Sequence, residues 1–294
     1  MKLQGIFPAL ATPFDYQGKL YRTKVFHNVE KLNQVGLAGY TVCGSTGETP
    51  LLSSDERLEL MRWVKEASAP GKILIAGVGA ESVHETVRMA KCAAEIGYDA
   101  ALVLTPFYYR NQMYRADTQA LFFRAVADQS PLPVLLYNIP QVTGYDLPVE
   151  TIAALSQHPN VAGMKDSSGN MPKLDETLKA VKPGFQVLTG SSASIYEALK
   201  LGAAGAILAI ANALPYACVT IWEAFRTREH EAAQDWQQRI TPLSRLMAAQ
   251  YGIPALKYAM DLNGYYGGPP RLPFVPVSAD VRREIERALD GLRG

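Results

Sequence analysis

Short apolar, β-branched-rich runs recur along the first two-thirds of the chain, at residues 6–11, 40–43, 73–76, 101–104, 134–137, 161–164, 186–188 and 206–209. Their spacing of roughly 20 to 35 residues is the length of one strand, one helix and two loops. The runs are nearly continuous rather than alternating, which is the pattern of parallel strands covered on both faces. Between them the polar positions follow a helical period. Ser53-Ser54-Asp55-Glu56 reads as a capping box ahead of Leu58, Met61 and Val64. Ser82-Val83-His84-Glu85 repeats the device ahead of Val87, Ala90 and Ala94, with Gly97 as the stop, so His84 reads as a first-turn residue. Pro148 opens a further helix through Ile152 and Leu155. Leu174, Leu178 and Val181 mark the next, and Ile195 and Leu199 the one after.

Eight strand signals alternating with helices predict a (β/α)8 barrel over residues 1–211, with an open doubly wound sheet as the alternative. Beyond the eighth run the pattern turns helical only. "AAQDWQQRI", "ALKYAMDLNGYYGG" and "ADVRREIERAL" mark residues 212–294 as a helical extension packed on the barrel rather than an independent domain.

Composition narrows the function. A chain of 294 residues with 48 % hydrophobic content supports a large core, and its net charge of +1 comes from scattered rather than clustered residues. That argues against nucleic-acid and anionic-membrane partners. The three cysteines, Cys43, Cys92 and Cys218, form no CxxC pair, which fits a reducing cytoplasm; Cys43 reads as a buried thiol. The histidines, His27, His84, His158 and His230, share no ligand spacing, so no metal is expected. The first residues, "MKLQGIFPALATPF", read without a signal peptide, and no apolar run has the length of a membrane span.

In a barrel of this kind the chemistry sits beyond the C-terminal ends of the strands. Those positions carry "GSTGET" after strand two, "TPFYYR" after strand four, "YNIPQVTG" after strand five and "TGSSAS" after strand seven. In "GMKDSSGN" the sixth apolar run stops abruptly at Lys165. A solvated surface lysine needs no buried lead-in, whereas a reactive amine does. An amine attacks a ketone only when neutral, and burial disfavours the ammonium form. The resulting imine draws electrons from the adjacent carbon, so a carbon–carbon bond there can break or form. A tyrosine such as Tyr137 with a relaying hydroxyl can shuttle the proton, and Gly-rich backbone can hold a small carboxylate. Neither metal nor organic cofactor is required.

Gly44-Ser45-Thr46-Gly47-Glu48, Tyr137-Asn138-Ile139-Pro140 with Thr143-Gly144, and Gly163-Met164-Lys165-Asp166 resemble the pyruvate-dependent class I lyases. That superfamily includes dihydrodipicolinate synthase and N-acetylneuraminate lyase. The resemblance spans nearly the whole chain and implies a barrel with a C-terminal helical part, a homotetramer built from two tight dimers, and pyruvate or another 2-oxo acid as small-molecule substrate. It implies Lys165 as the Schiff-base lysine and Tyr137 as the proton shuttle. Ser45 would link Tyr137 to Tyr108, a second tyrosine that enters from a neighbouring subunit. Ser45 and Thr46 would hold the pyruvate carboxylate, with Gly190 and Ile207 lining the site.

Dihydrodipicolinate synthases usually carry an arginine at the position of Val142. "DLPVETIAALSQHPNVAGMKDSSGN" and "YGIPALKYAMDLNGYYGGPPR" instead resemble 4-hydroxy-2-oxoglutarate aldolase, as does "TPFYYRNQM", and Ser167 matches a hydroxyl near the substrate in those enzymes. "GYYGGPPR" reads as a structural turn. The leading expectation is therefore a cytoplasmic lyase that cleaves 4-hydroxy-2-oxoglutarate to pyruvate and glyoxylate. Dihydrodipicolinate synthase stands second, an aldolase for 2-oxo-3-deoxy sugar acids third, and a non-catalytic 2-oxo-acid-binding barrel represents a different class.

Overall fold

The computed structural model describes residues 2–292. Eight strands, β1 (Gly5–Pro8), β2 (Gly39–Val42), β3 (Ile73–Gly77), β4 (Ala100–Leu104), β5 (Val134–Asn138), β6 (Val161–Asp166), β7 (Gln186–Thr189) and β8 (Gly205–Leu208), form one parallel sheet. Each of the strands from β2 to β8 pairs with the next in sequence, and β8 pairs with β1. The remaining gap between β1 and β2 is bridged where Ala38 N–H donates to Ile6 C=O at 3.0 Å and Leu10 N–H to Thr41 C=O at 2.8 Å. The sheet's two ends therefore meet, and the chain is a (β/α)8 barrel rather than an open doubly wound sheet.

Both faces of the strands are covered, which explains their unbroken apolar runs. Phe7, Ile75, Leu102, Leu135, Leu188 and Ile207 fill the barrel interior. Val134, Leu136, Met164 and Val187 face outward into the larger core beneath the helices. The helix starts follow local rules. Ser53 accepts from Glu56 N–H while the Glu56 carboxylate accepts from Ser53 N–H, a complete capping box on Ser54–Ala67. Ser82 caps Val83–Ile96, but Glu85 bonds Arg88 and Ser54 rather than its own cap. Pro148 sits at the cap of Val149–Ser156, just ahead of its first helical residue.

β6 departs from its sequence reading. The strand runs on past Met164, through Lys165 to Asp166. Lys165 lies in register with Tyr137 on β5 and Leu188 on β7, both interior residues. Lys165 is therefore the last but one residue of the strand rather than its end, and strand alternation points it into the barrel.

After β8 come helices Pro215–Arg226, His230–Arg245, Gly252–Leu262 and Ala279–Leu289. The first packs against β1 and against the preceding helix Ile195–Leu201, so the 212–294 segment opens with a helix of the barrel's outer ring. Among the described residues no helix is long and apolar enough to cross a membrane. No group of His, Cys, Asp and Glu among them is arranged to hold a metal ion.

Candidate active site

Lys165 and Tyr137 stand side by side across the β5–β6 ladder. Lys165 Nζ donates to Tyr137 Oη at 3.2 Å and sits 4.3 Å from the centre of the same ring. Tyr137 Oη lies 3.3 Å from Ser45 Oγ. The lysine is 4 % and the tyrosine 3 % exposed. Thr105 Oγ1 donates to Tyr137 C=O at 3.1 Å, which anchors the backbone under the ring. The lysine ion pairs among the described residues use Lys173, Lys179 and Lys257, so no carboxylate neutralises the Lys165 amine.

The two strand ends are locked on the opposite face. Asn138 Nδ2 donates to Asp166 Oδ1 at 2.8 Å and to Asp146 Oδ1 at 2.7 Å, and Asn138 Oδ1 accepts from Leu147 N–H at 3.1 Å. Ser168 Oγ donates to the second Asp166 oxygen at 2.7 Å. Asp166 is thereby engaged away from the barrel interior, which leaves the amine of its neighbour with hydroxyl company only.

Ser45 and Thr46 lie in a single 3-10 turn, Ser45–Gly47. Gly47 N–H donates to Gly44 C=O at 2.9 Å, and the hydroxyls of Thr49 and Thr12 bond the carbonyls of Gly44 and Gly47 at 2.8 and 2.6 Å. The turn is flanked by two non-glycine residues in the left-handed region, Cys43 at φ 58° and Glu48 at φ 56°. Such conformations persist only where surrounding structure enforces them. Burial pushes the Cys43 thiol up to about 12, so it stays protonated and inert, as a buried structural thiol should.

The other expected residues separate into two groups. Gly190 and Ser167 converge on the lysine. A Cβ on Gly190 would fall 1.9 Å from Ser167 Oγ and 3.0 Å from Lys165 Cε, so only glycine admits both neighbours. Ile207 shares the interior cluster with Tyr137 and Leu188. Tyr108 does not join them within this chain. It is 73 % exposed, its ring packs edge-on against Tyr109 at 5.1 Å, and its N–H donates to Glu81 at 2.9 Å. Val142 stands on the one-turn helix Pro140–Thr143 at the mouth, 54 % exposed.

A cavity of about 310 Å³ opens between the ends of β2 to β5. Ser45 and Tyr137 form part of its wall, with Arg57 and Glu81 among the other lining residues, while Lys165 lies beyond it. The amine and both hydroxyls meet at the lysine rather than at the centre of this space.

Sequence reading missed Asn138 as the clamp on Asp166, and it missed the partnership of Glu48 with Lys257. These two charged groups are fully buried and 2.6 Å apart, yet separated by most of the chain. The one available signal was Lys257 itself, a lone charge in the apolar stretch "IPALKYAM".

The model of the dihydrodipicolinate synthetase family matches residues 2–292. A 4-hydroxy-tetrahydrodipicolinate synthase from Methanothrix thermoacetophila is 33 % identical over 289 residues, covering 97 % of this chain and 96 % of that one. The synthase of the same name from an Exiguobacterium species is 32 % identical, covering 97 % of each chain. Among solved structures, a dihydrodipicolinate synthase from Acinetobacter baumannii complexed with pyruvate superimposes with a TM-score of 0.94 at 27 % identity, covering 99 % of both chains. The chain belongs to the dihydrodipicolinate synthetase family. It is an enzyme of the class I, lysine Schiff-base type, within the pyruvate-dependent lyase superfamily that the motifs resemble. The relatives do not support 4-hydroxy-2-oxoglutarate as the leading substrate; they favour the synthase reading held second.

Proposed function

We propose that Lys165 forms an imine with pyruvate and that the enzyme makes or breaks a carbon–carbon bond at the pyruvate methyl carbon. The observation that supports this most is the unbroken path from Lys165 Nζ to Tyr137 Oη to Ser45 Oγ, at 3.2 and 3.3 Å, on an amine that no carboxylate holds. The neutral amine attacks the ketone carbon, and the carbinolamine then loses water. The departing oxygen needs a proton, which Tyr137 supplies and Ser45 helps to replace. The protonated imine lets a methyl proton leave to the Tyr137–Ser45 relay, and the enamine attacks the carbonyl carbon of an aldehyde, whose oxygen takes that proton. Hydrolysis returns the free lysine. Ser45, Thr46 and the backbone of their turn hold the carboxylate, with Ser167, Gly190 and Ile207 around the reacting carbons. Tyr108 completes the relay from a second copy within a homotetramer, which accounts for its exposure in the single chain.

The relatives' name supports condensation of pyruvate with aspartate semialdehyde as the first reading of the acceptor. Val142 favours a second one, an aldehyde without a carboxylate, as released by a 2-oxo-3-deoxy sugar acid. Valine offers no donor where dihydrodipicolinate synthases usually carry an arginine fork. Borohydride reduction with pyruvate, read as a mass shift on the Lys165 peptide, tests the imine. Initial rates on one preparation decide the acceptor. A specificity constant for aspartate semialdehyde above those for cleavage of 2-oxo-3-deoxy sugar acids and of 4-hydroxy-2-oxoglutarate sustains the synthase, and the reverse order overturns it.

A further inference from the structure

We infer that Lys257 and Glu48 are positioning residues: their buried ion pair holds the turn that carries Ser45 and Thr46 in its substrate-binding shape. The inference rests on the reading above, in which that turn receives the carboxylate of the 2-oxo acid.

Glu48 closes the turn. Its N–H donates to Ser45 C=O at 3.1 Å, and its backbone holds the left-handed conformation at φ 56°. Its side chain is fully buried. One carboxylate oxygen lies 2.6 Å from Lys257 Nζ, and the other accepts from Arg271 N–H at 2.8 Å. Both partners come from the C-terminal segment, on the far side of the sequence. Lys257 also donates to Pro269 C=O at 3.0 Å and sits 4.5 Å from the centre of the Phe14 ring. Arg271 stacks on the same ring at 4.4 Å and grips Glu56 through two bonds of 2.6 and 2.8 Å, with a further bond to Leu51 C=O at 2.8 Å. Residues 48–56 are therefore held at both ends by "GYYGGPPR". Gly267 makes the approach possible, because a Cβ there would lie 1.9 Å from Lys257 C=O.

A tie that served only to dock the C-terminal segment would not need buried charge, since apolar packing does this at no desolvation cost. The pair sits instead one residue beyond the turn, on the residue whose backbone conformation is costly. A left-handed glutamate persists when something outside the turn enforces it, and the Lys257 ion pair on one carboxylate oxygen and the Arg271 N–H bond to the other do so. Lys257 meets Glu48, Pro269 C=O and the Phe14 ring rather than Lys165. It acts through Glu48 on the aim of Ser45 and Thr46.

The experiment compares wild type, Lys257→Met and the double variant Glu48→Gln/Lys257→Met. Pyruvate is titrated in initial-rate assays and, separately, in borohydride trapping at Lys165. Loss of a charge-assisted contact to the carboxylate corresponds to about tenfold or more in affinity. We expect the KM for pyruvate and the half-trapping concentration to rise together by at least about that factor in Lys257→Met, with kcat at saturating pyruvate within about threefold of wild type. The double variant, which keeps an acceptor for Arg271 and leaves no unpaired charge, should recover part of the shift. If Lys257→Met does not fold, the double variant against wild type carries the same comparison, with elevated KM as the expected result. Variants that melt earlier yet keep the wild-type KM and half-trapping concentration would overturn the inference, as would a loss confined to kcat. Absence of trapping in the wild type would instead refute the imine reading itself, so the two failures are distinct.

Discussion

Lys165 and Lys257 are both buried lysines set against the face of an aromatic ring, Tyr137 at 4.3 Å and Phe14 at 4.5 Å. They differ in what meets the amine. Lys257 has a carboxylate at 2.6 Å and a backbone carbonyl, so its charge is matched inside the protein. Burial pushes its ammonium down from the ordinary lysine value, while Glu48 pulls the other way. Lys165 has a hydroxyl at 3.2 Å and no carboxylate among its ion-pair partners. Burial alone therefore does not set the two lysines apart; the group that meets each amine does, an acid for Lys257 and a hydroxyl for Lys165.

The largest expected effect breaks that comparison outright if it fails. Borohydride with pyruvate should label Lys165 and spare Lys257, and Lys165→Ala should abolish both labelling and turnover while circular dichroism stays native. An adduct mapped to Lys257 would reverse the two roles. Next in size is the hydroxyl beside the reactive amine. Tyr137→Phe should lower kcat by on the order of 10²–10⁴-fold, since it removes a proton-transfer group, with slowed imine formation still detectable by trapping. A variant that turns over like wild type would leave Lys165 without its distinguishing partner.

A smaller effect sharpens the other side. Removing one member of a buried ion pair costs about 3–5 kcal/mol, whereas removing both costs far less. Denaturant midpoints should therefore fall strongly for Lys257→Met and by much less for Glu48→Gln/Lys257→Met. Equal losses would mean that the cation matters for its volume and not for its charge.

The smallest effect concerns the Arg271–Glu56 pair that braces the same segment. Arg271 holds the Glu56 carboxyl below its ordinary value of 4.5. A carboxyl whose folded-state value is depressed stabilises the fold above its unfolded value, and that contribution is lost as pH falls through the folded one. Because the pair is partly exposed, about 1 kcal/mol is expected. Wild type should lose this increment below about pH 4.5, and Glu56→Gln should lack it at all pH values. Parallel stability–pH curves for the two proteins would remove the brace from the scheme.

How far the site was legible depended on whether its cause was local. The eight apolar runs and both serine caps follow from neighbours in sequence, and each lies where the pattern puts it. Lys165 stood out because an apolar run ended on it, yet the same signal placed the strand end one residue early. A lysine looks like a terminus in a hydropathy pattern, but ladder pairing with Tyr137 and Leu188 carries β6 on to Asp166. "GYYGGPPR" read as a turn, and its glycines do make tight approaches. That Arg271 at its end reaches Glu48, Leu51 and Glu56 had no local sign.

The sequence by itself determined the barrel and the order of its strand-end motifs, and it singled out Lys165, because periodicity, capping and abrupt polarity changes act over a few residues. Only the tertiary structure decided which buried lysine stands free and which is matched by an acid. The reason is physical: an ion pair or a proton path depends on side chains within about 3 Å of each other. Closure of the barrel brings Ser45, Tyr137 and Lys165 together from three strand ends, as their motifs implied, whereas docking of the C-terminal helices brings Lys257 to Glu48 with nothing in the intervening residues to announce it.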